Sequence, residues 1–528
     1  MRPSTGTESG NLRYRRQFVL GPRRLEALRD WPCVAIGTGL VAQAHPDLGL
    51  TQVQLGSRTL TLLGYMLDPR SPDRGDREIL EDLARGLKEG GDAGHGAERL
   101  GGRWVLVVDD GSSTTLFADA CGLRQVFYSD RSLAERWCAS QAFHVANAMG
   151  LAIAPEAQEF LASEYVKTHI EYFWPGDSSP YAGVRRLLPN HGLDLRHGTV
   201  RRFWPWGPLA AVAPQVAVAR CAELLRGTIE AASRRFPLAV PITAGYDSRT
   251  ILAATRNVSK SVFYYTLLFA SRTPEHRDVA VPARLLPALG LRHRVIPCPA
   301  RMSSGFGALY RSNVEPAHEV AGAYAEGLFA QYPQGHVSVS GHASEIARCG
   351  YYDSTAAPYF WAEYPPIPIT PDLLAAIAPM NSTAMAKSEF AVRQFAEWLK
   401  EAIEVERDTG MRILDLFCWE QWTGSWAAAG QAEWDVVHER LTLFANRELL
   451  TTMLGVDARE RACPDFRLYP KIMQDLWAEV LTAPINPRPA SASPLRDPLR
   501  RLLDRTGTLN TARRIRRLLA RAPDPRNR

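Results

Sequence analysis

A turn of small residues that carries Asp and Ser follows an apolar segment in AVPITAGYDSRTILAATR (239–256). Gly245 allows a tight turn, and Asp247 and Ser248 are residue types that commonly cap helices. The stretch is therefore typical of an ordinary strand–turn–helix corner. It also suits a phosphate-binding turn, because backbone N–H groups and the positive end of a helix dipole attract anions. A carboxylate repels phosphate, so Asp247 would then act by binding Mg²⁺ between phosphates.

The segments around this turn alternate between helical and strand patterns from about residue 215. AVARCAELLRGTIEAASRRF predicts a helix, LAVPIT a strand, SRTILAATRN a helix and SVFYYTLLFA a buried strand. RDVAVPARLLPALG is helix-like despite two prolines, and RHRVIPC is a further strand. Such alternation predicts a parallel sheet with helices on both faces, and ligands of these sheets bind at the carboxyl ends of the strands. Residues from about 370 to 485 are predicted to be mostly helical.

The region from residue 12 to about 145 is predicted to be rich in strands. TQVQLGSRTLTLLGYML alternates polar and apolar residues, and GRWVLVVDDGSSTTLFADACGLRQVFYSD predicts a hairpin. DREILEDLARGLKEGG predicts a helix that ends at Gly-Gly. Turn signals separate short strands in SPYAGVRRLLPNHGLDLRHGTVRRFWPW. A chain of 528 residues is too long for one core, so two or three domains are expected.

The composition is that of a water-soluble globular protein, with 46% hydrophobic and 22% charged residues. No apolar run reaches the roughly 18 residues that a membrane helix needs, and the first 18 residues lack the apolar core of a secretory signal. The eight cysteines include no Cys-x-x-Cys, which argues against a structural zinc site and a disulfide framework. We therefore expect a cytoplasmic protein with reduced thiols.

The net charge of +6 is concentrated in the C-terminal tail. Residues 491–528 contain 11 Arg and 3 Asp, a local net charge of +8, so the preceding residues carry about −2. Leu and Ile in this tail have the spacing of one helical face. This pattern suits a solvated amphipathic helix packed on the body, or a segment that docks on an acidic peptide, an acidic partner or a lipid surface. Nucleic-acid binding is not expected, since the tail has no aromatic residues.

Two loop motifs resemble those of the asparagine synthetase family. ITAGYDSR (242–249) resembles the family's pyrophosphate loop, Ser-Gly-Gly-x-Asp-Ser, with Thr243 and Ala244 replacing Ser and the first Gly. VSVSGHASEIARCGYY (337–352) resembles the family's strand followed by Ser-Gly-Glu-Gly-Ala-Asp-Glu-Leu-Phe-Gly-Gly-Tyr. ERLGGRWVLVVDDGSSTTLFADACGLRQVFY is similar to the family's glutaminase-like region, and PYAGVRRLLPNHGLDLRHGTVRRFWP to the segment that joins it to the synthetase region. The resemblance extends over about residues 12 to 490.

The resemblance implies an α/β protein in three parts. Residues 12–205 would form an N-terminal glutaminase-like (Ntn-type) αββα sandwich. Residues 206–488 would form an adenine-nucleotide alpha-hydrolase-like (PP-loop ATPase) domain, with a parallel sheet and extra helices. Residues 489–528 would be the Arg-rich tail.

The resemblance also implies that ATP and Mg²⁺ bind at the ends of the parallel strands. The positions implied for ATP are Ile242, Thr243, Gly245, Asp247, Ser248, Leu267, Ser340 and Gly341. Asp247 and Glu345 would bind the Mg²⁺ from two strand ends. The implied reaction adenylates a carboxylate with release of pyrophosphate, and an amine then displaces AMP to form an amide.

The family's glutaminase uses an N-terminal cysteine, which this sequence does not match. Position 2 is Arg, and Cys33 is the first cysteine. Glutamine hydrolysis is therefore not expected, the sandwich is interpreted as inactive, and free ammonia or an amine of the substrate would attack. The β-lactam synthetases and the macrolactam-forming lasso peptide cyclases share this feature, and the two loops favour the cyclase branch.

Two further positions depart from the family and are candidate catalytic residues. His342 stands where the family has a Glu of the amidation step, and it could be a general base or simply a capping or core histidine. Arg488, in APINPRPA, lies near the family's adenylate-stabilising Lys, while Lys471 matches an earlier family lysine.

Two other stretches carry weaker signals. The acids and tryptophans of DLFCWEQWTGSWAAAGQAEW could line a substrate pocket or pack in a core. His276 and Asp278 open a helix, where Asp278 would oppose the helix dipole.

The function expected from these features is ATP-dependent macrolactam cyclisation of a peptide, in which a side-chain carboxylate joins an N-terminal amine. An asparagine synthetase that uses ammonia and a non-catalytic scaffold that retains the fold are the alternatives. The implied partners are a peptide or amino-acid carboxylate substrate, a leader-peptide-processing protein and a second copy of the chain, with no membrane span.

Overall fold

Alternating polar and apolar residues build two antiparallel sheets in the first 205 residues. The structure, a computed structural model, describes residues 12–37, 39–169, 172–348, 385, 387–462 and 466–487. The first sheet has the strand order β10-β8-β9-β1-β3-β2, and the second has the order β12-β11-β7-β6-β5-β4. Their strands are β1 (Phe18–Gly21), β2 (Cys33–Ile36), β3 (Leu40–Ala44), β4 (Leu50–Leu55), β5 (Arg58–Leu67), β6 (Gly101–Asp109), β7 (Thr114–Ala118), β8 (Phe127–Ser129), β9 (Cys138–Ala139), β10 (Val184–Arg186), β11 (His191–Asp194) and β12 (Thr199–Arg202).

The two sheets pack face to face because successive side chains of a strand point to opposite sides. In β6, Val105 and Val107 belong to the core between the sheets, and Trp104 and Leu106 belong to the core on the outer face. The helix Asp76–Lys88 covers that outer face. The outer face of the first sheet packs against the helix Ala142–Met149. The predicted helix–sheet–sheet–helix layering is therefore confirmed.

The second half of the chain contains a five-stranded parallel sheet with the order β15-β14-β13-β16-β17. Its strands are β13 (Leu238–Pro241), β14 (Phe263–Leu268), β15 (His293–Pro297), β16 (Val337–Ser340) and β17 (Arg440–Thr442). The first four confirm the sequence prediction. The fifth lies in a region predicted to be helical, and three residues are too few to show a strand periodicity.

Helices cover both faces of the parallel sheet, as predicted. One face packs against the helices Pro214–Arg235 and Tyr246–Ala254, and the other packs against the helices Ser304–Asn313 and Glu319–Gln331. The helix Arg277–Ala288 continues through Pro282 and Pro287. The helices of the described residues are Asp76–Lys88, Ala93–Gly96, Ala142–Met149, Pro155–Leu161, Glu164–Thr168, Pro214–Arg235, Tyr246–Ala254, Arg277–Ala288, Ser304–Asn313, Glu319–Gln331, Ser344–Ala347, Glu389–Thr409, Ile413–Phe417, Ala428–Glu433, Arg447–Leu454, Ala458–Arg461 and Leu468–Trp477, with a π-helix at Cys418–Ala427 and 3₁₀ turns at Glu26–Leu28, Arg256–Ser261 and Ala478–Thr482.

The order in which strands are added to the parallel sheet reverses at β13. After β13 the chain adds β14 and β15 on one side, and it then returns to place β16 on the other side. Loops that leave β13 and β16 therefore diverge and open a crevice at the carboxyl ends of these strands, which is where open α/β sheets bind ligands. The two sequence motifs follow these two strands directly.

A buried ion-pair cluster joins the two halves. This interface cluster consists of Arg103 and Arg124 from the sandwich, with Asp435 and Glu439 from the segment before β17. Arg103 donates hydrogen bonds to both carboxylate oxygens of Asp435, and Arg124 donates one to Glu439 at 2.8 Å. Burial alone would raise the pKa of Glu439, but Arg124 and Arg103 lower that pKa to about 2. The predicted boundary near residue 205 falls between β12 and the next helix, and separate domains remain a prediction.

Candidate functional site

A cavity of about 510 Å³ lies at the carboxyl ends of the parallel strands. This volume is within the range of small-molecule sites, about 300 to 1,000 Å³. Five of the residues predicted to bind ATP or to act in catalysis line it: Ile242, Thr243, Leu267, Ser340 and His342. The structure thus brings the ends of β13, β14 and β16 together around one cavity.

The loop after β13 is closed by its own side chains. Ser248 Oγ accepts a hydrogen bond from the Thr243 N–H at 3.1 Å and lies 3.0 Å from Thr243 Oγ1. Thr243 Oγ1 also accepts the Gly245 N–H at 3.2 Å. Gly245 is the helix cap, and no side chain caps the helix that follows. The interpretation of Asp247 and Ser248 as capping residues is therefore wrong, because both lie inside the first helical turn and Ser248 bonds back to the loop.

Asp247 and Glu345, predicted to bind one Mg²⁺, approach the same guanidinium group. Arg348 lies 3.3 Å from Asp247 Oδ1 and 3.5 Å from Glu345 Oε1, and we name these three residues the edge cluster. Ser344 Oγ donates a hydrogen bond to Asp247. Burial and the neighbouring Glu345 charge raise the pKa of Asp247, against the lowering effect of Arg348. The cluster is partly open, because 26% of the Asp247 side chain and 29% of the Glu345 side chain are exposed.

A glycine lets the two motifs approach so closely. A Cβ atom on Gly341 would lie 2.7 Å from the Asp247 Cβ and 3.3 Å from a methyl carbon of Ile251. Only a residue without a side chain therefore allows the end of β16 to lie against the helix that carries Asp247. This close approach explains why a glycine stands at position 341, while the contact of Gly341 with ATP remains a prediction.

The edge cluster suits an Mg²⁺ ion that is shared with phosphates. Mg²⁺ in nucleotide sites commonly takes one or two protein carboxylates and completes its shell with phosphate oxygens and water. Asp247 and Glu345 supply two carboxylates, and Arg348 marks the position between them as one that takes positive charge. Within the described ranges, no group of three or more His, Cys, Asp or Glu side chains could hold a metal, so an all-protein cage is not formed there.

His342 has one unsatisfied ring nitrogen beside the cavity. Its Nδ1 is buried without a hydrogen-bond partner, and its ring meets Trp426 edge to face at 5.8 Å between centroids. Burial and the Arg440 charge lower the pKa of His342 to about 4, so the imidazole is neutral near pH 7. The helix Ser344–Ala347 is capped by Ala343, so the capping interpretation of His342 is wrong. A base with an open nitrogen and a core histidine both remain compatible with this position.

The C-terminal end of the described chain lies against the loop after β13. Asn486 donates its backbone N–H to the Ala244 carbonyl oxygen at 2.9 Å. Arg249, fully buried, donates to the carbonyl oxygens of Val480 and Ala483 at 2.7 and 2.9 Å. Arg488, the other predicted catalytic residue, lies outside the described residues. Lys471 forms an ion pair with Glu460 at 2.9 Å on the helix Leu468–Trp477.

Asp278 ties a second helix to the loop, which the sequence did not predict. It is the second residue of the helix Arg277–Ala288, and His276 caps that helix as expected from its position. Asp278 accepts the Ala244 N–H at 3.4 Å and an Arg272 N–H at 2.9 Å, so it does more than oppose the helix dipole. Arg272 also lies 4.7 Å over the Phe269 ring. Arg272 and Asp278 both line the cavity.

The far wall of the cavity carries residues that no motif identified. Trp426, Glu433 and Trp434 come from the aromatic window 415–434, whereas Trp419 packs in the core against Trp204. The residues of this window divide between cavity and core, and a substrate pocket there remains a prediction. His318 and Arg440 also line this wall. Burial lowers the pKa of Arg440, and its guanidinium lies 4.7 Å over the Trp434 ring. No motif marks these residues in the sequence, and the contacts that hold Glu433, with Tyr310 and His318, span 123 and 115 positions.

The sequence also predicted that the chain has no membrane span and that it carries an Arg-rich tail. Of the helices that the structure describes, none combines the length and the apolar character needed to cross a membrane. The predicted Arg-rich tail, 489–528, lies outside the described residues.

Comparisons with known proteins add little to the structural description of this site. No protein-family model matches the chain, and no curated protein matches it significantly. One similar solved structure is described as the allosteric regulatory enzyme of purine biosynthesis, with 12% identity over 59% of this chain and 75% of that chain, and a TM-score of 0.23. Another is the glutamine phosphoribosylpyrophosphate (PRPP) amidotransferase from B. subtilis complexed with ADP and GMP, with 11% identity over 58% and 75% of the two chains and a TM-score of 0.22. Both neighbours are enzymes, but superpositions this loose carry no conclusion about the present chain.

Proposed function

We propose that the protein is an ATP-dependent amide-bond-forming enzyme similar to the asparagine synthetase family. In this proposal the second half is an adenine-nucleotide alpha-hydrolase-like (PP-loop ATPase) domain, and the enzyme acts in the cytoplasm. One observation carries the proposal. Two carboxylates, 98 positions apart, lie within ion-pair distance of one guanidinium group at the end of a parallel sheet. They do not line the cavity of about 510 Å³ themselves, but Thr243, Ser340 and His342 of the same two motifs do.

The side chains around the cavity suit an adenine nucleotide. Ile242 and Leu267 offer apolar surface at the ends of β13 and β14, where a base could lie. The loop from Thr243 to Ser248 stands at the N-terminus of the helix Tyr246–Ala254, whose dipole favours phosphate. Ser340 and Gly341 complete this side from β16.

Asp247 and Glu345 would hold Mg²⁺ in place of Arg348. An ion held by these two residues would supply positive charge that offsets the negative charge of a departing pyrophosphate. Arg348 would move to a neighbouring phosphate oxygen, because a guanidinium displaced from its carboxylates needs another anion. The protein itself would orient the phosphates and exclude water from them.

The reaction would proceed in two steps at the cavity. A carboxylate oxygen of the acyl substrate attacks the α-phosphorus of ATP, and the bond to the β-phosphate oxygen breaks as pyrophosphate leaves. An amine then attacks the carbonyl carbon of the acyl adenylate, and AMP leaves with the electron pair of the broken C–O bond. Arg440 adds positive charge to the cavity lining, where it would attract the substrate carboxylate.

The aromatic wall favours a peptide as the acyl substrate. Trp426 and Trp434 line the cavity, and Trp426 stacks on Trp422 with 4.4 Å between ring centroids. Large aromatic surfaces bind apolar and extended groups, whereas aspartate offers only short polar ones. Macrolactam cyclisation of a peptide is therefore preferred to asparagine formation from ammonia.

Exchange of labelled pyrophosphate into ATP tests the proposal. Wild-type protein is incubated with ATP, Mg²⁺ and, in turn, aspartate, glutamate and peptides that contain side-chain carboxylates. Exchange that depends on a peptide supports the cyclase assignment, and exchange that depends on aspartate supports asparagine synthesis. Asp247→Asn is expected to abolish exchange, while the exposed Asp408→Asn serves as the matched control. No exchange with any carboxylate would contradict the proposal and favour a non-catalytic scaffold.

A further inference from the structure

A buried carboxylate on the cavity wall lies outside the part of the cavity assigned to nucleotide. Glu433 ends the helix Ala428–Glu433, and only 1% of the residue is exposed. It lines the cavity together with His318, Trp426 and Trp434. Burying a carboxylate is unfavourable unless it is hydrogen-bonded or paired, so its partners matter.

Both oxygens of Glu433 have hydrogen-bond partners from other elements. Tyr310, on the helix Ser304–Asn313, donates its hydroxyl to Oε2. His318 Nδ1 meets Oε1. The pair of side chains therefore holds the carboxylate in one orientation from two directions.

The second nitrogen of His318 determines where the protons lie. His318 Nε2 is 2.9 Å from the backbone carbonyl oxygen of Tyr172. A carbonyl oxygen only accepts, so Nε2 carries a hydrogen. The contact between Nδ1 and Oε1 also needs a hydrogen, and the two groups therefore share one proton. When that proton resides on His318, the result is an imidazolium beside a carboxylate that keeps accepting capacity for a further donor.

The surroundings of Glu433 suit an amine that arrives as a cation. The indole ring of Trp426 and the phenol ring of Tyr324 also line the cavity, and aromatic faces attract ammonium groups, whereas the Trp434 ring already lies under the Arg440 guanidinium. His342 is a poorer acceptor for such a group, because burial and Arg440 keep it neutral and weakly basic. Burial and the Glu433 charge raise the pKa of Tyr310, so its hydroxyl stays protonated as a donor.

We propose that Glu433 binds the attacking primary amine and takes its proton during amide formation. This inference rests on the proposed function. The ammonium group first gives one proton to a carboxylate oxygen of Glu433, which frees the lone pair of the amine. The amine nitrogen then forms a bond to the carbonyl carbon of the acyl adenylate, the C–O bond to AMP breaks with its electron pair, and the second amine proton leaves with the AMP phosphate. His318 and Tyr310 are positioning residues that hold the carboxylate.

A separation of the two half-reactions tests this role. For each protein, adenylation is measured as pyrophosphate exchange with the carboxylate that supports it, and amide formation is measured with the amine of the same peptide and with hydroxylamine. Glu433→Gln is expected to keep exchange within about threefold and to slow amide formation with the peptide amine about 100-fold, the lower end of general-base effects. Hydroxylamine, which is uncharged near neutral pH, is expected to restore most of the rate. The exposed Glu319→Gln, next to His318, is the matched control.

The outcomes separate this inference from the function on which it rests. Absence of exchange in the wild type overturns both. Normal exchange with unchanged amide formation in Glu433→Gln, or equal loss of exchange and amide formation, overturns the role of Glu433 alone. If Glu433→Gln does not fold, Glu433→Asp decides in its place, because it keeps the charge but shortens the side chain. If Glu433→Asp retains exchange and forms the amide at least tenfold more slowly than the wild type, the role is supported. If Glu433→Asp forms the amide at the wild-type rate, the role is overturned.

Discussion

The edge cluster and the interface cluster contain the same residue types but differ in exposure. In the interface cluster, Arg103 and Asp435 expose 2% and 7% of their side chains and form two hydrogen bonds with each other. In the edge cluster, Asp247 and Glu345 are each more than a quarter exposed and share one guanidinium at ion-pair distance only. Charges that are buried and fully paired cannot change partners without a large cost, whereas partly exposed charges can. We therefore expect the interface cluster to stabilise the fold and the edge cluster to exchange its ion-pair partner for a bound cation.

The largest contrast is expected from one Asp→Asn substitution in each cluster. Asp435→Asn leaves the buried Arg103 without its bidentate partner and should lower the free energy of unfolding by about 3 to 5 kcal/mol. Asp247→Asn removes a carboxylate whose charge is already disfavoured by burial and Glu345, so the free energy of unfolding should stay within about 1 kcal/mol. Urea unfolding of both variants gives these values. A larger loss in Asp247→Asn than in Asp435→Asn would refute the assignment.

A similar contrast is expected in acid. The pKa of Glu439 is lowered from 4.5 to about 2, so its pairing stabilises the fold fully above pH 4.5, and this contribution is lost as the pH falls towards 2. The pKa of Asp247 is raised, so its protonation on acidification favours the folded state. Urea midpoints measured between pH 5 and 2.5 should fall steeply for the wild type and for Asp247→Asn. Glu439→Gln should start lower and show a flatter dependence, and an unchanged slope would show that Glu439 is not the titrating group.

The sequence predicted that Asp247 and Glu345 of the edge cluster lie close together, because both follow local motifs. Asp247 lies in a strand–turn–helix pattern, Glu345 follows a second apolar strand, and the order of strands in a parallel sheet brings such ends together. The resemblance to a known family identified Glu345 as the partner of Asp247. Arg348 was missed, although it is one helical turn after Glu345, because an arginine near two acids carries no motif of its own.

The interface cluster and the Glu433 site could not be predicted in the same way. Arg103 meets Asp435 across 332 positions, and His318 meets Glu433 across 115 positions. Their contacts depend on how two halves dock and how helices pack on one face of a sheet, which residue spacing does not encode. The strand β17, which leads out of this region, is too short for its periodicity to be recognised.

A smaller effect is expected where the two motifs touch. Gly341→Ala places a methyl group 2.7 Å from the Asp247 Cβ, so β16 and the helix Tyr246–Ala254 must separate. Such overpacking typically costs about 1 to 3 kcal/mol, and separating the two carboxylates should also weaken the binding of Mg²⁺ with an ATP analogue. Gly305→Ala, in a helix where an added Cβ has no neighbour within 4 Å, is the control and should leave binding unchanged without lowering the free energy of unfolding. Urea unfolding and calorimetric titration provide the two measurements. Unaltered binding in Gly341→Ala would show that the close approach of the motifs is not needed for nucleotide.

The smallest effect on stability is expected from Arg348→Gln, which sharpens the distinction between the clusters. Without the guanidinium, Asp247 and Glu345 face each other with no cation between them, and the partly exposed pair should lose no more than about 1 kcal/mol. The vacated position should then accept Mg²⁺ without competition from Arg348. At ten times its dissociation constant, Mg²⁺ alone would raise the free energy of unfolding by about 1.4 kcal/mol, and it should raise the Tm of Arg348→Gln more than that of the wild type.

Arg459→Gln provides the matched control for this measurement, because Arg459 pairs with Asp457 on the surface away from the cavity lining. Its Tm should respond to Mg²⁺ as the wild type does. An equal Mg²⁺ response in all three proteins, both with and without an ATP analogue, would mean that Asp247 and Glu345 do not form a cation site, and the edge cluster would then be a structural ion pair like the interface cluster.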